Sequence, residues 1–332
     1  GGPAYYMKRG MKTRVLANIF AVITVVTCGI VITSVQSNAI AGTLTSAFGE
    51  AAKQPLQGAG GFSAAQLTIA GLIFVFSAMV IFGGIRTVAR VTEWMAPIMA
   101  TIYVIMVAII CLMNISQFGT VLGQIFTSAF SADATVGGLG GGIIAAMING
   151  TKRGLFSNEA GMGTSPHVHA MAEVKDPAMQ GFVAMSGVFI TLLICTSTAL
   201  VILQTGAHKQ PGLESTAITQ EAFDMVFGKA GIIFLQVSIF FFAFTTIIGN
   251  YIFGEMNVRS LFGKVGVYIF RAVVIGSVFV GAIFAVTFVW EITDTVTGLM
   301  VIPNIIALIF LAPQTKAAYK NFLKKRSAGE ID

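Results

Sequence analysis

Three charged side chains stand where an apolar stretch should carry none. In IIAAMINGTKRGLFSNEAGMGTSPHVH, Lys152, Arg153 and Glu159 follow directly on a run fit to enter a bilayer. A charge at the centre of a membrane helix costs roughly 2.5 to 3.5 kcal/mol even on insertion-based scales. These three must therefore face protein, water or one another. Gly150, Gly154, Gly161 and Gly163 in the same stretch leave the backbone free to unwind. Unwound backbone at membrane depth exposes N–H and C=O groups that only neighbouring protein, a ligand or an ion can satisfy. Discontinuous helices of this kind form the sites of many secondary transporters, with a half-helix N-terminus facing a substrate carboxylate and freed carbonyls facing the cation. The same residues also describe a structural kink held by Lys152 or Arg153 pairing with Glu159. The two readings are compatible.

The elements that must position this segment follow from hydrophobicity. The chain has 332 residues, 55% of them hydrophobic and only 10% charged, against about 25% charged in a soluble domain. Eight segments meet or nearly meet the ~20 apolar residues that a spanning helix needs. They lie near 15–36, 65–85, 94–114, 138–165, 181–204, 231–254, 266–290 and 294–313. The fourth is the broken one. Residues 1–332 are therefore expected to form a single all-α polytopic membrane domain.

Basic residues test that count, because cytoplasmic flanks of true spans are enriched in Lys and Arg. With the segment before the first span inside, alternation places fifteen of the 20 Lys and Arg on the cytoplasmic side. Only Lys53, Lys209 and Lys229 fall opposite, and Lys152 and Arg153 belong to the break. Acidic residues, Glu50, Asp133, Glu214, Glu291 and Asp294 among those outside, divide almost evenly. The net charge of +6 thus reports topology and not nucleic-acid binding. The tail KKRSAGEID is expected to be cytoplasmic and frayed. Outer segments 39–50 and 216–228 have helical patterning but too little length to span.

Cys28, Cys111 and Cys195 lie in apolar runs without metal-ligand spacing and read as packing residues. His167 and His169 are spaced i, i+2, which on a helix points them to different faces and does not suit zinc. Glu255 reads as a solvated or paired charge at the end of the sixth span. No phosphate loop and no nucleophile–base–acid set appears, so an enzyme is not expected.

The motifs GGPAYY, VQSNAIAG, TKRGLFSNEAGMGTSP and FAFTTIIGNYIFGE resemble those of the alanine/glycine:cation symporters, and the resemblance runs over essentially the whole chain. It implies a LeuT-type core of two inverted five-helix repeats within an eleven-helix protein. The eight spans here would be the last eight, with about three helices missing ahead of Gly1, including the first broken helix and its part of the carboxylate and sodium site.

On that core Gln36, the broken segment and the sixth span surround one central cavity. Gln36 is an amide able to donate and accept toward a zwitterion, or else a helix-end hydrogen bond. Phe156 resembles the family's aromatic cavity residue, though packing is an equal use for it. Ser157 and Asn158 offer oxygens beside the unwound Gly161. Thr245 and Thr246 are adjacent hydroxyls for a hard cation, or back-bonds to carbonyls four residues earlier. With Thr246, Asn250 completes the substrate set implied by the resemblance, standing where alanine-selective relatives carry Trp. An amide there enlarges the pocket and admits glutamine or serine. In the fifth span an acidic residue that the family usually has between Ile190 and Thr191 is missing, a deletion that turns everything beyond it by ~100°.

The resemblance implies sodium-driven import of a small neutral amino acid by alternating access, with a proton as the other coupling ion and no further cofactor. Partners would be the amino acid, Na+ and lipid, with no nucleic acid, in a monomer in the inner (plasma) membrane. The alternatives are a truncated copy that does not transport, or a passive facilitator or channel, which needs a continuous polar lining that these spans lack.

Overall fold

A computed structural model describes residues 1–47, 54, 61–130, 141–213, 215–284 and 286–331. Glu50, Lys53, Asp133 and Glu214, with 48–50 of the first outer segment and 138–140 of the fourth span, lie outside the described residues. The elements are α1 Pro3–Gly10, α2 Arg14–Val26, a π-helical turn Thr27–Ile32, α3 Thr33–Ala47, α4 Ala64–Phe82, α5 Ile85–Met113 and α6 Ile115–Phe130. They continue as α7 Gly141–Asn158, α8 Ser165–His169, α9 Pro177–Thr205, α10 Thr216–Phe227, α11 Lys229–Ile283 and α12 Val286–Ser327. Local chemistry sets several boundaries. Thr13, Ser63 and Asp176 accept from the first-turn N–H groups of Leu16, Gln66 and Ala178, and Gly206 closes α9 with a φ of 77°.

Among the described residues, six helices are long and apolar enough to cross a membrane. The sequence counted eight segments, and the difference has two sources. The sixth and seventh fall in α11, which is two helical arms joined at Gly263, where φ 67° and ψ −155° interrupt the helix. Glu255 meets Arg271 across that joint, and Tyr251 stacks on Phe270. Residues sixteen or more apart touch only if the chain reverses, since an unbroken helix would separate them by about 24 Å. The broken fourth segment is too polar to qualify. Boundaries also move. Residues 39–47 are not a separate surface helix but continue α2, the π turn and α3, and the second arm of α11 ends at Ile283, where 290 was expected. Helix α9 passes through Ile190 and Thr191 without a break.

The core lies where α11 packs on α3 and α4. Small and hydroxyl residues let these backbones approach. Ser37 Oγ donates to the Val278 carbonyl at 2.5 Å and Asn38 Nδ2 to Gly281 at 3.1 Å and Phe284 at 2.7 Å. A Cβ on Gly281 would stand 2.4 Å from Ser34 Cα. In lipid, such close contacts and interhelical hydrogen bonds hold helices together, because hydrocarbon gives no hydrophobic drive between them. A second cluster joins α1, α2 and α12 around Phe20 and Met162, and a third joins α5, α9, α10 and α11 around Tyr103 and Phe223. Leu192, Phe189, Leu72 and Ile309 are exposed, a surface suited to lipid tails and costly in water.

The tail differs from expectation. It is helical through Ser327, with Phe322 buried and Lys325 bonded to Asp176 at 3.0 Å. The Ala178 N–H and then Lys325 hold the Asp176 carboxyl below the usual carboxylate range.

Candidate functional site

The break is sharper than the glycine pattern suggested. Gly150 and Gly154 lie inside regular α7 and do not unwind it. The chain turns only after Asn158, with φ 55° at Glu159, 87° at Gly161 and 85° at Gly163. Gly163 is doubly constrained, by its left-handed backbone and by the 2.7 Å that would separate its Cβ from Pro3 Cγ. One freed carbonyl, that of Gly161, accepts from Asn304 Nδ2 at 2.7 Å, and Asn304 Oδ1 accepts from the Tyr6 hydroxyl. Glu159 accepts from Thr164 at 2.5 Å. On α8, beyond the apolar spans, buried His167 pairs with the Thr164 carbonyl (3.1 Å) and accepts from Asn257 (2.8 Å). Burial pushes its pKa down to about 4, so it is neutral. His169 instead meets Gln180 at 2.6 Å.

The charges of the break do not pair as expected. Neither Lys152 nor Arg153 reaches Glu159. Both turn to Asp294 on α12, Lys152 at 3.5 Å and Arg153 through two bonds of 2.8 and 2.7 Å to its two carboxylate oxygens. The carboxylate of Asp294 matches the planar guanidinium, and its position one turn beyond Trp290 lets that guanidinium also lie over the indole, 4.4 Å from the ring centroid. Trp290 meets Phe156 edge to face at 4.8 Å.

Beneath this cluster is a cavity of ≈ 260 Å³ lined by Gln36 and Asn38 of α3, Phe156 of α7, Ser215 and Thr216 at the start of α10, Phe242 of α11 and Trp290. Gln36 and Phe156, two of the residues singled out in the sequence, thus share one wall system. The Gln36 side chain makes no hydrogen bond among the described residues, so its amide is free toward the cavity. Ser215 is held at φ 53°, an uncommon conformation for a residue with a side chain. The space is below the ~300 Å³ at which drug-sized pockets begin and suits a small polar ligand.

The other candidates are placed elsewhere. Ser157 faces a neighbouring cavity of ≈ 430 Å³, with Tyr103, Cys195 and Thr198, that shares Thr216 and Phe242 with the first. It lies 3.0 Å from Cys195 Sγ. Asn158 ends α7, and Gly161 is bonded to Asn304. The hydroxyls of Thr245 and Thr246 donate back along α11, Thr246 to Phe242 at 2.8 Å and Thr245 to Phe241 and Phe242 at 3.0 and 2.9 Å. Asn250 is buried. Its Nδ2 donates to the Thr246 carbonyl at 3.0 Å, while its Oδ1 has no partner among the described residues. None of these three lines the cavity of Gln36.

Sequence reasoning missed Trp290, Asp294, Asn38, Asn304 and Thr216. A signal existed for the first two: an aromatic and a carboxylate at i, i+4 where the last span begins. Asn304 carried none, since nothing local shows that a buried amide will meet a carbonyl 143 residues away.

A fold of apolar helices around a glycine-broken segment and a small polar cavity fits a membrane carrier. The sequence model of the sodium:alanine symporter family matches residues 1–332, and the chain belongs to that family. The family is one of symporters and not of enzymes. An uncharacterized transporter of Haemophilus influenzae is 38% identical over 99% of this chain and 66% of its own length. The amino-acid carrier protein AlsT of Bacillus subtilis is 36% identical, over 99% of this chain and 67% of its own. The probable sodium/glutamine symporter GlnT of the same organism is also 36% identical, over 99% and 66%. The chain spans about two thirds of the length of these relatives.

Proposed function

We propose that the protein is a secondary active symporter that moves a small neutral amino acid with Na+ by alternating access, as one membrane domain with a LeuT-type core of eight spans. The observation that carries this reading is the unpartnered Gln36 amide, opening with Phe156 onto a small cavity beside the broken helix. An amide donates to a carboxylate and accepts from an ammonium, so it suits a zwitterion and carries no charge preference of its own. Family membership supports sodium as the coupling ion and alanine as a substrate. Glutamine is favoured by the likeness to GlnT, and by Asn250, whose free Oδ1 lies in the helix expected to face the site. Thr245 and Thr246 are proposed for Na+ on the family resemblance, their oxygens still having lone pairs to offer. The protein works as a monomer in the plasma membrane with its C-terminus in the cytoplasm.

Competition for labelled alanine uptake tests the substrate class. Unlabelled glutamine and serine are expected to compete within about tenfold of alanine, a span of ~1.4 kcal/mol. Competition by alanine alone would remove the larger substrates from the proposal.

A further inference from the structure

Among the residues around the Gln36 cavity, Trp290 is the largest, and its position is fixed by groups outside the cavity. Its indole meets Phe156 at 4.8 Å and carries Arg153 at 4.4 Å. Arg153 cannot follow the ring if the ring turns, because two bonds of 2.8 and 2.7 Å tie its guanidinium to Asp294. Asp294 is one helical turn from Trp290 on α12, so the clamp closes on the same helix that carries the indole. Lys152 adds a second cation to that carboxylate at 3.5 Å.

The polar groups of the cavity and its aromatic pair come from different helices. Gln36 and Asn38 come from α3, and Ser215 and Thr216 from the start of α10, while Phe156 and Trp290 come from α7 and α12. A zwitterion whose charged groups engage the amides and hydroxyls leaves the aromatic pair to meet its side chain. A wall that yields would accept many side chains; this wall is met edge to face by Phe156 and braced by Arg153.

Resting on the symporter reading above, we infer that Trp290 is a specificity-determining residue, setting the upper size of the transported side chain, and that Arg153, held by Asp294, is the positioning residue that keeps it rigid. The side chains admitted are therefore slim and unbranched, those of alanine, serine and glutamine among them, and branched aliphatic or aromatic ones are refused by contact with the indole. Each methylene refused or admitted at such a wall changes selectivity roughly 10- to 200-fold.

The test is sodium-dependent uptake by the whole protein in liposomes, with leucine, isoleucine and phenylalanine as competitors against labelled alanine. Trp290→Ala is expected to improve competition by these three at least about tenfold and to weaken alanine. Arg153→Lys keeps the charge but loses the planar guanidinium that lies over the indole, and is expected to relax selectivity in the same direction by a smaller factor. A merely structural Trp290 would change transport of all substrates alike.

Should Trp290→Ala fail to accumulate, Trp290→Phe decides, with the smaller ring admitting leucine. Tryptophan fluorescence gives a second readout. A saturating substrate is expected to change the emission of the wild type, and the change is lost in Trp290→Phe. A folded, transporting variant with an unchanged competitor profile and an unchanged fluorescence response overturns the inference while leaving the symporter reading intact. A wild type with no sodium-dependent neutral amino-acid uptake overturns both.

Discussion

Replacing Glu255 with alanine is expected to destabilise the protein by roughly 3 to 5 kcal/mol, the usual cost of leaving one member of a buried charge cluster unpaired. Glu255 is fully buried. It accepts from Arg259 at 2.5 Å, from Arg271 at 3.3 Å and from the Tyr251 hydroxyl, which itself accepts from Arg271 Nε at 2.9 Å. The two cations are not equivalent. Arg259 has 56% of its side chain exposed and would lose little. Arg271, at 14%, would be left as a buried charge without its carboxylate. Because Arg271 and Glu255 lie on opposite arms of α11, the loss would be felt as separation of the hairpin at Gly263. Thermal unfolding in detergent, followed by helical circular dichroism, measures it. Glu255→Gln keeps hydrogen-bonding capacity and should fall between the two. An alanine variant that melts with the wild type would show that the cluster does not hold the arms together.

The second large effect is on binding and leaves the fold alone. Gln36→Leu replaces an amide by an aliphatic group of similar size. Since Gln36 bonds to no other described residue, nothing in the protein is left unsatisfied, and unfolding should be within about 0.5 kcal/mol of the wild type. The ligand loses its amide contacts, each worth about 1.5 to 3 kcal/mol to a charged group, so KM for the amino acid is expected to rise at least about tenfold. Uptake kinetics and a melting curve on the same preparation separate the two effects. An unchanged KM would place the substrate away from this cavity.

The course of the chain was largely legible in the sequence, and the reason is physical. In a bilayer each apolar run must become a helix to satisfy its own backbone, so hydrophobic length alone locates α2, α4, α5, α9, both arms of α11 and the middle of α12. The break was legible through Lys152, Arg153 and Glu159, whose charges would be intolerable in lipid. Its internal pairing was not. Choosing Glu159 as the partner of Arg153 followed from nearness in sequence, whereas the bond formed is to Asp294, 141 residues on, and depends on how α7 and α12 pack. Glycine content also overstated the unwinding. Gly150 and Gly154 are tolerated inside α7, while Gly161 and Gly163 adopt conformations that other residues resist.

The candidate site was legible in part. Gln36 and Phe156 do meet at one cavity. The hydroxyls of Thr245 and Thr246 donate to their own helix, the use that hydroxyl residues in apolar helices commonly find. Trp290 escaped notice because its role lies in what surrounds it. An indole at the start of a span is ordinary, and becomes informative only once Arg153 and Phe156 are found against it.

The most direct measurement of the symporter reading is uptake of labelled alanine and glutamine into liposomes holding the protein, with and without an inward Na+ gradient. The account predicts accumulation above the external concentration only when the gradient is present, and its collapse when K+ replaces Na+ or the gradient is dissipated. Uptake that merely equilibrates and is indifferent to Na+ would contradict it, and would make the cavity of Gln36 part of a passive pathway.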